Sequence, residues 1–135
     1  MNNYWLVKQE PSSYPFEQLL KDKKTVWDGI RNYQARNYLK QMSVGDTVLY
    51  YHSGDQRAVV GIAKVHRAPY PDPNDNTWVV VDLVPIKPLP QPVPLSVIKA
   101  DAVLNELPLI KQGRLSVMPI TRPHYDRLLT LSGRG

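Results

Sequence analysis

Residues 47–65 are Thr-Val-Leu-Tyr-Tyr-His-Ser-Gly-Asp-Gln-Arg-Ala-Val-Val-Gly-Ile-Ala-Lys-Val, and this stretch decides the fold class. Two apolar runs rich in β-branched and aromatic residues, 47–51 and 58–65, flank the turn residues Ser53, Gly54 and Asp55. Runs of this composition on both sides of such a turn are typical of neighbouring strands. We therefore predict a β-hairpin here, with the rest of the domain built around it.

Upstream of the hairpin, strands and helices alternate. Residues 4–8 are aromatic and β-branched and predict a strand that ends before Pro11. Pro15 occupies a position typical of the first residue of a short helix, and residues 25–27 read as extended again. The clearest helix follows Asn32, because apolar residues recur after it at helical spacing, at Ala35, Tyr38, Leu39 and Met42.

Downstream of the hairpin, prolines separate the apolar runs. Residues 69–76 combine three prolines with Asp and Asn and predict a rigid loop. Residues 78–84 are apolar at almost every position, which is typical of a strand covered on both faces. Residues 85–94 contain five prolines, and since proline has no N–H to donate we predict an extended edge or crossover there.

The C-terminal part predicts three short elements. Residues 95–100 fit one or two helical turns, residues 115–119 a last strand, and Thr121 the cap of a closing helix. Short strands with three to four short helices between them favour a single α+β domain over residues 1–135. We expect its bent sheet to close into a compact barrel, with the strand ends around one ligand mouth.

Composition excludes several classes of protein. The 135 residues include no cysteine, so disulfide scaffolds, thiolate zinc sites, Fe–S clusters and cysteine nucleophiles are excluded. No apolar run approaches the roughly 20 residues of a membrane helix, and the N-terminus lacks the pattern of a signal peptide, so we expect a cytoplasmic protein. The net charge of +5 is compatible with polyanion binding, and equally with a solvated basic surface.

Catalytic and metal-binding patterns are weak. His52, Ser53 and Asp55 are the residue types of a catalytic triad, but they are neighbours in a turn, where such residues are ordinary. His66 and His124 lie far from His52 in sequence and show no spacing typical of a zinc site. We therefore predict no enzyme activity, no metal and no cofactor.

The most informative segment is residues 26–38, which gathers one Trp, two Tyr, two Arg, two Asn, one Asp and one Gln. A planar base needs an aromatic face and polar groups along its edge, and arginine and a helix N-terminus both favour a phosphate. We expect Trp27 to form the wall of a pocket and Tyr38 to pack in the core. In the alternative interpretation Trp27 is also core, Asn32 only caps the helix, and the arginines are solvated.

Several stretches of the chain, in order, resemble the EVE domain family. They are residues 4–12 (Tyr-Trp-Leu-Val-Lys-Gln-Glu-Pro-Ser), 27–37 (Trp-Asp-Gly-Ile-Arg-Asn-Tyr-Gln-Ala-Arg-Asn), 51–53, 70–72 and 114–119. The resemblance implies a PUA-like barrel related to the YTH readers of methylated RNA, with no catalytic activity. It also implies a pocket for a modified base, chiefly modified cytosine in DNA. The pocket residues it implies are Trp27, Asp28, Asn32, Tyr33, Arg36, His52 and Ser53, with Lys8, Glu10 and Arg114 near the rim.

These observations together predict a non-catalytic reader of a modified base in nucleic acid. A flipped or single-stranded base would enter the pocket while cations hold the neighbouring phosphates, namely Lys8, Arg31, Arg36 and Arg114. The target is modified DNA or RNA. The alternatives are a small-molecule or nucleoside binding module and a PUA-like RNA-binding adaptor.

Overall fold

The computed structural model of the chain describes residues 3–27 and 32–133. Within them six strands and five helices follow one another along the sequence. The strands are β1 (Tyr4–Gln9), β2 (Thr25–Trp27), β3 (Thr47–His52), β4 (Ala58–Asp72), β5 (Asp75–Pro94) and β6 (Val117–Ile120). The helices are α1 (Phe16–Asp22), α2 (Tyr33–Lys40), α3 (Leu95–Ala100), α4 (Pro108–Lys111) and α5 (Arg122–Leu131).

The strands form one bent sheet in the order β2-β5-β4-β3-β1-β6. All pairings are antiparallel except that of β1 with β3, which is parallel from Tyr4 opposite Thr47 to Gln9 opposite His52. Register shifts in the β3–β4 and β4–β5 pairings mark bulges, which bend the strands. The α+β prediction is therefore confirmed, and α1, β2 and α2 all lie in the connection between β1 and β3.

The expected closure into a barrel is not found. The edge strands of the described sheet are β2 and β6, and no pairing joins them, so the sheet stays open. The physical reason within the described residues is that β2 pairs with β5 only from Thr25 to Trp27, which leaves most of that side of β5 without a strand partner there.

Two elements differ from their predictions. The loop predicted for residues 69–76 is mostly strand, since β4 continues to Asp72 and β5 begins at Asp75. Pro69 and Pro71 are tolerated because β3 pairs with β4 only as far as Lys64, so beyond that point one side of β4 is an edge. The helix α4 was not predicted, because four residues are too few for a helical period, and it raises the number of described helices to five.

The proline-rich segment is an edge, as predicted. Residues 85–94 belong to β5 and pair with β4, whereas β2 contacts β5 only at residues 81–83. The missing N–H groups of the prolines therefore cost no bond on the free side. The prediction that the preceding apolar run is covered on both faces holds for residues 80–83, which are all buried.

One close contact fixes α1 against the sheet. A Cβ at Gly61 of β4 would lie 2.5 Å from two atoms of the Phe16 ring. Phe16 is the first residue of α1 and is buried in the core, with its ring centroid 5.4 Å from that of Tyr50. Only glycine leaves room for the ring here, so this contact sets the position of α1 and of the loop before it.

Two buried carboxylates join distant parts of the chain. Asp46, which is 1% exposed, accepts hydrogen bonds from the backbone N–H of Asn3 and Ser43 and from Nε1 of Trp5, at 2.9 to 3.0 Å. Asp101 follows α3 and accepts a hydrogen bond from Nε of Arg127 in α5 at 2.8 Å. Both carboxylates have a structural role. None of the described helices is long and apolar enough to span a membrane.

Candidate functional site

The parallel pairing of β1 with β3 brings two loops together. Gln9 and His52 end their strands side by side, and Ser53 N–H donates to the Gln9 carbonyl at 2.9 Å. The loop at residues 10–14 is held in turn by Tyr50, whose hydroxyl donates to the Tyr14 carbonyl at 2.6 Å. The loop therefore has a fixed shape, set by strand β3 beneath it.

Trp27 lies at the wall of a hollow and in the core at once. Its side chain is only 3% exposed, and its ring meets the ring of Tyr50 edge to face at 5.5 Å between centroids. It also lines a hollow of about 260 Å³ beside the loop. We call this space the Trp27 hollow, and its other described lining residues are Gln9, Ser13, Tyr14, Thr25 and Val26.

The indole N–H of Trp27 has no hydrogen-bond partner within the described part of the chain, and Nε1 itself is buried. A buried donor without an acceptor costs about 1–3 kcal/mol relative to a paired one. An acceptor on a ligand in the hollow would relieve this cost, but it would reach Nε1 only with a shift of the surrounding side chains.

Both ring nitrogens of His52 form hydrogen bonds within the fold. Its Nε2 accepts a hydrogen bond from Phe16 N–H at 3.0 Å, so Nδ1 carries the ring proton and donates to Oε1 of Gln56 at 2.7 Å. Both ring nitrogens are therefore occupied, and the side chain is 7% exposed. His52 faces a separate hollow of about 250 Å³ that also touches Leu20.

Ser53 and Glu10 line a third hollow, of about 390 Å³, together with Ser12 and Asp55. The Trp27 hollow and the third hollow both contact the loop at residues 10–14, whereas the hollow at His52 is lined by α1 and by residues 88–92 of β5 and by no residue of that loop. Of the predicted pocket residues, Trp27, His52 and Ser53 therefore line three different hollows. Asp28 and Arg31, which are also predicted site residues, lie outside the described residues.

The other predicted pocket residues form a second group on α2. Asn32 caps the helix, since its Oδ1 accepts from Ala35 N–H at 2.9 Å. Tyr33 stacks on Trp78 of β5, with ring centroids 5.1 Å apart and planes inclined by 30°. The guanidinium of Arg36 lies 4.8 Å from the Tyr33 ring centroid and 5.5 Å from that of Trp78. None of these residues lines the Trp27 hollow.

Lys8, a predicted rim residue, contacts the loop before β6, which also contains Arg114. Nζ of Lys8 donates to the Gly113 carbonyl at 2.6 Å and lies 5.9 Å from the Tyr51 ring centroid. Partial burial lowers the pKa of Lys8 below its ordinary value. Arg114 follows Gly113 directly and is exposed. Two cations are therefore available beside the end of β1.

Two residues that line the Trp27 hollow, Tyr14 and Thr25, were not predicted as site residues. Single hydroxyl residues in a loop or a short strand give no signal of their own. Trp78 was assigned to a strand and not to a site. Its place next to a turn, at the start of an apolar run, is the signal that could have identified it as a surface aromatic residue.

No described set of three or more histidine, aspartate and glutamate side chains is arranged to hold a metal ion. This finding applies to residues 3–27 and 32–133. The predicted absence of metal and cofactor stays a prediction for the chain as a whole.

Comparison with known families identifies the chain. Residues 3–131 match the family model of the EVE domain. The chain belongs to the EVE domain family. This EVE domain is similar to mouse thymocyte nuclear protein 1, with 31% identity over 167 aligned residues that cover 97% of this chain and 74% of the mouse protein. Because the alignment is longer than the 135-residue chain, the mouse protein carries insertions relative to it.

Solved structures of similar proteins share the fold of this EVE domain. A protein from Agrobacterium tumefaciens is 38% identical, with a TM-score of 0.93 over 97% of this chain and 93% of that chain. The human THYN1 protein, solved in complex with DNA containing 5-methylcytosine, is 26% identical, with a TM-score of 0.90 over 99% of both chains. The family and fold expected from the sequence are therefore confirmed.

Proposed function

We propose that this EVE domain is a non-catalytic module that binds a modified base of nucleic acid, chiefly modified cytosine in DNA, in the Trp27 hollow. The observation that carries the proposal is that Trp27 lines an open hollow while its buried Nε1 has no partner among the described residues. The complex of the similar human THYN1 protein with 5-methylcytosine-containing DNA supports this class of ligand.

The size and lining of the Trp27 hollow suit a single base. Its volume of about 260 Å³ is slightly below the range of about 300–1,000 Å³ for drug-sized ligands. Gln9, Ser13 and Thr25 supply amide and hydroxyl groups for the edge of a base, while Val26 and Trp27 supply apolar surface for a methyl group. The indole N–H of Trp27 would donate to a carbonyl oxygen of the base.

The remaining predicted residues have distinct roles in this proposal. Asp28 follows Trp27 in the chain and would bind the base edge, while Asn32 fixes the start of α2. His52 and Ser53 hold the loop beside the hollow, with Glu10 at its rim. Phosphates would be held by the four cations Lys8, Arg31, Arg36 and Arg114, as predicted from the sequence.

The absence of catalysis is part of the proposal. It is supported by His52, the natural candidate for a general base, because both of its ring nitrogens are occupied by Phe16 and Gln56. We further propose that residues 1–135 act as one domain. A nucleic-acid partner also fits the cytoplasmic location expected from the sequence.

The test is a titration of an oligonucleotide containing 5-methylcytosine against its unmodified twin, at two salt concentrations. We expect the methylated strand to bind more tightly by about 10- to 200-fold, since one methyl group in an apolar niche contributes about 1–3 kcal/mol. Equal binding of both strands with a steep salt dependence would overturn the proposal, because only polyanion attraction would remain. Tight binding of the free nucleoside with no gain from an oligonucleotide would instead favour the small-molecule alternative.

A single substitution distinguishes the contribution of the indole N–H to binding from that of the aromatic ring. Trp27→Phe keeps an aromatic ring in the core but removes Nε1, and we expect it to lose most of the affinity for the methylated strand. Ile86→Ala is the matched control, because Ile86 is also a large apolar residue, is 52% exposed and lies on the proline-rich edge. Wild-type affinity in Trp27→Phe would show that Nε1 does not contact the base.

A further inference from the structure

The rings of Tyr33 and Trp78 form an exposed aromatic platform outside the Trp27 hollow. Tyr33 is 62% exposed, the largest exposed fraction among the large apolar side chains of the described residues. Its ring is stacked on Trp78 at 5.1 Å between centroids, which limits its rotation. An exposed ring that is already held in place loses little conformational entropy when another planar group stacks on it.

Arg36 supports the platform and gives it positive charge. Its guanidinium lies close to both rings, at 4.8 Å from the centroid of Tyr33 and 5.5 Å from that of Trp78. Nη1 donates to the Thr77 carbonyl at 2.8 Å, whereas Nε is buried and has no described partner. The guanidinium is therefore fixed beside the rings, where a phosphate would meet both aromatic surface and cation.

The platform lies a short distance from the Trp27 hollow. Trp27 is opposite Val81 in the pairing of β2 with β5, and Trp78 precedes Val81 by three residues on the same strand. At about 3.3 Å per residue this places the Cα of Trp78 about 10 Å along the strand from Val81. Stacked nucleotides rise by about 3.4 Å each, so the separation corresponds to about three of them, and to fewer in an extended strand.

We propose that the Tyr33–Trp78 platform is a second stacking site, which holds an unpaired base up to about three nucleotides along the strand from the base in the Trp27 hollow. This inference rests on the proposed function, because it needs a strand anchored in that hollow. Aromatic stacking accepts every base, so the platform adds affinity without adding sequence preference. Single-stranded or locally opened nucleic acid is the partner that fits, since a base inside an intact duplex has no free face.

The experiment compares ligands of two lengths. The probes are 5-methyl-2′-deoxycytidine 5′-monophosphate and a single-stranded heptanucleotide with the same residue at its centre, which extends three nucleotides to each side. We expect the heptanucleotide to bind wild-type protein more tightly than the monophosphate. Tyr33→Ala should reduce this gain by a factor of about 5 to 150, the range for one stacked base. Binding of the monophosphate should be unchanged in Tyr33→Ala.

Two controls make the result decisive. Tyr33→Phe keeps the stacking ring and should retain the gain, while Ile86→Ala removes a large exposed side chain from a different surface and should have no effect. The inference is overturned if Tyr33→Ala keeps the full gain of the heptanucleotide over the monophosphate. The proposed function fails separately, if an unmethylated heptanucleotide binds wild-type protein as tightly as the methylated one.

Discussion

At the scale of single residues, Trp27 has two roles that make opposite demands. Its ring packs in the core against Tyr50, and its N–H group has no hydrogen-bond partner among residues 3–27 and 32–133. Buried polar atoms in protein cores are ordinarily paired. Under the proposed function, the acceptor that pairs with this donor belongs to the ligand.

We expect Trp27→Ala to lower the free energy of unfolding by about 3–5 kcal/mol, because it removes a large buried ring and leaves a cavity. The sequence-based prediction that Trp27 forms a pocket wall implies a much smaller loss. Urea denaturation at neutral pH measures the difference, and a midpoint within error of the wild type would show that the ring contributes little packing. Trp27→Phe should retain most of the stability and is therefore the better variant for binding experiments.

We expect Asp46→Ala to be strongly destabilising for a different reason. Three donors, from Asn3, Trp5 and Ser43, lose their acceptor, and each buried unpaired group costs about 1–3 kcal/mol. Asp46→Asn keeps one acceptor oxygen and should lose clearly less. Thermal unfolding of the two variants in parallel tests this order, which would be reversed or absent if the carboxylate were not the shared acceptor.

At the scale of elements, the contact between Gly61 and Phe16 couples α1 to the sheet. We expect Gly61→Ala to cost about 1–3 kcal/mol, because a methyl group 2.5 Å from the ring forces it to move. Combining it with Phe16→Leu should cost less than the sum of the two single changes, since the smaller side chain makes room. Gly113→Ala is the control, because nothing lies within 4 Å of its added Cβ.

The link between α3 and α5 predicts a dependence on pH. Burial alone would raise the pKa of Asp101, but hydrogen bonds from Arg127, Val103 and Leu104 and the charge of Arg127 hold it below its ordinary value. A lowered pKa in the folded state stabilises the protein above the unfolded pKa of about 3.9, and this stability is lost as the pH falls through the folded pKa. We therefore expect unfolding measurements below about pH 4 to show a steeper loss for the wild type than for Asp101→Asn. Parallel curves would contradict the assignment.

The elements show which information the sequence contains. The hairpin at residues 47–65, the helix after Asn32 and the proline-rich edge follow from local patterns, and all are found in the structure. The extension of β4 to Asp72 and the start of β5 at Asp75 do not follow from local patterns. They depend on pairing between segments that are each rich in proline or polar residues. The stack of Tyr33 on Trp78 joins residues from different elements, so no local pattern could predict it.

The same limit applies to the candidate site. The sequence indicated the loop regions that surround the Trp27 hollow, since strand ends and polar aromatic residues mark them. It placed seven residues in one pocket, whereas the structure distributes the described ones over three hollows and the surface of α2. Burial and facing direction depend on tertiary packing, and neither is encoded in residue type.

At the scale of the whole molecule, the net charge of +5 limits the electrostatic part of binding. Each phosphate contact on a single strand contributes about −0.7 to the slope of log affinity against log salt concentration. The four proposed contacts therefore predict a slope no steeper than about −3. We expect Arg114→Gln to reduce the slope by about 0.7 and to weaken methylated and unmethylated strands equally. A change in methyl discrimination in this variant would show that Arg114 contacts the base and not the backbone.

The crossover between the two parallel strands has a consequence for how such a protein can diversify. Residues 10–46 connect β1 to β3 and include most of the Trp27 hollow and all of α2, whereas the hairpin and the closing helix lie outside them. A replacement of this block would exchange most of the Trp27 hollow, but it would also exchange Phe16, which packs against Gly61, and Asp46, which accepts a hydrogen bond from Trp5. Under the proposed function, a chimera that takes this block from another family member and keeps these two residues should inherit the donor's choice of base in the Trp27 hollow.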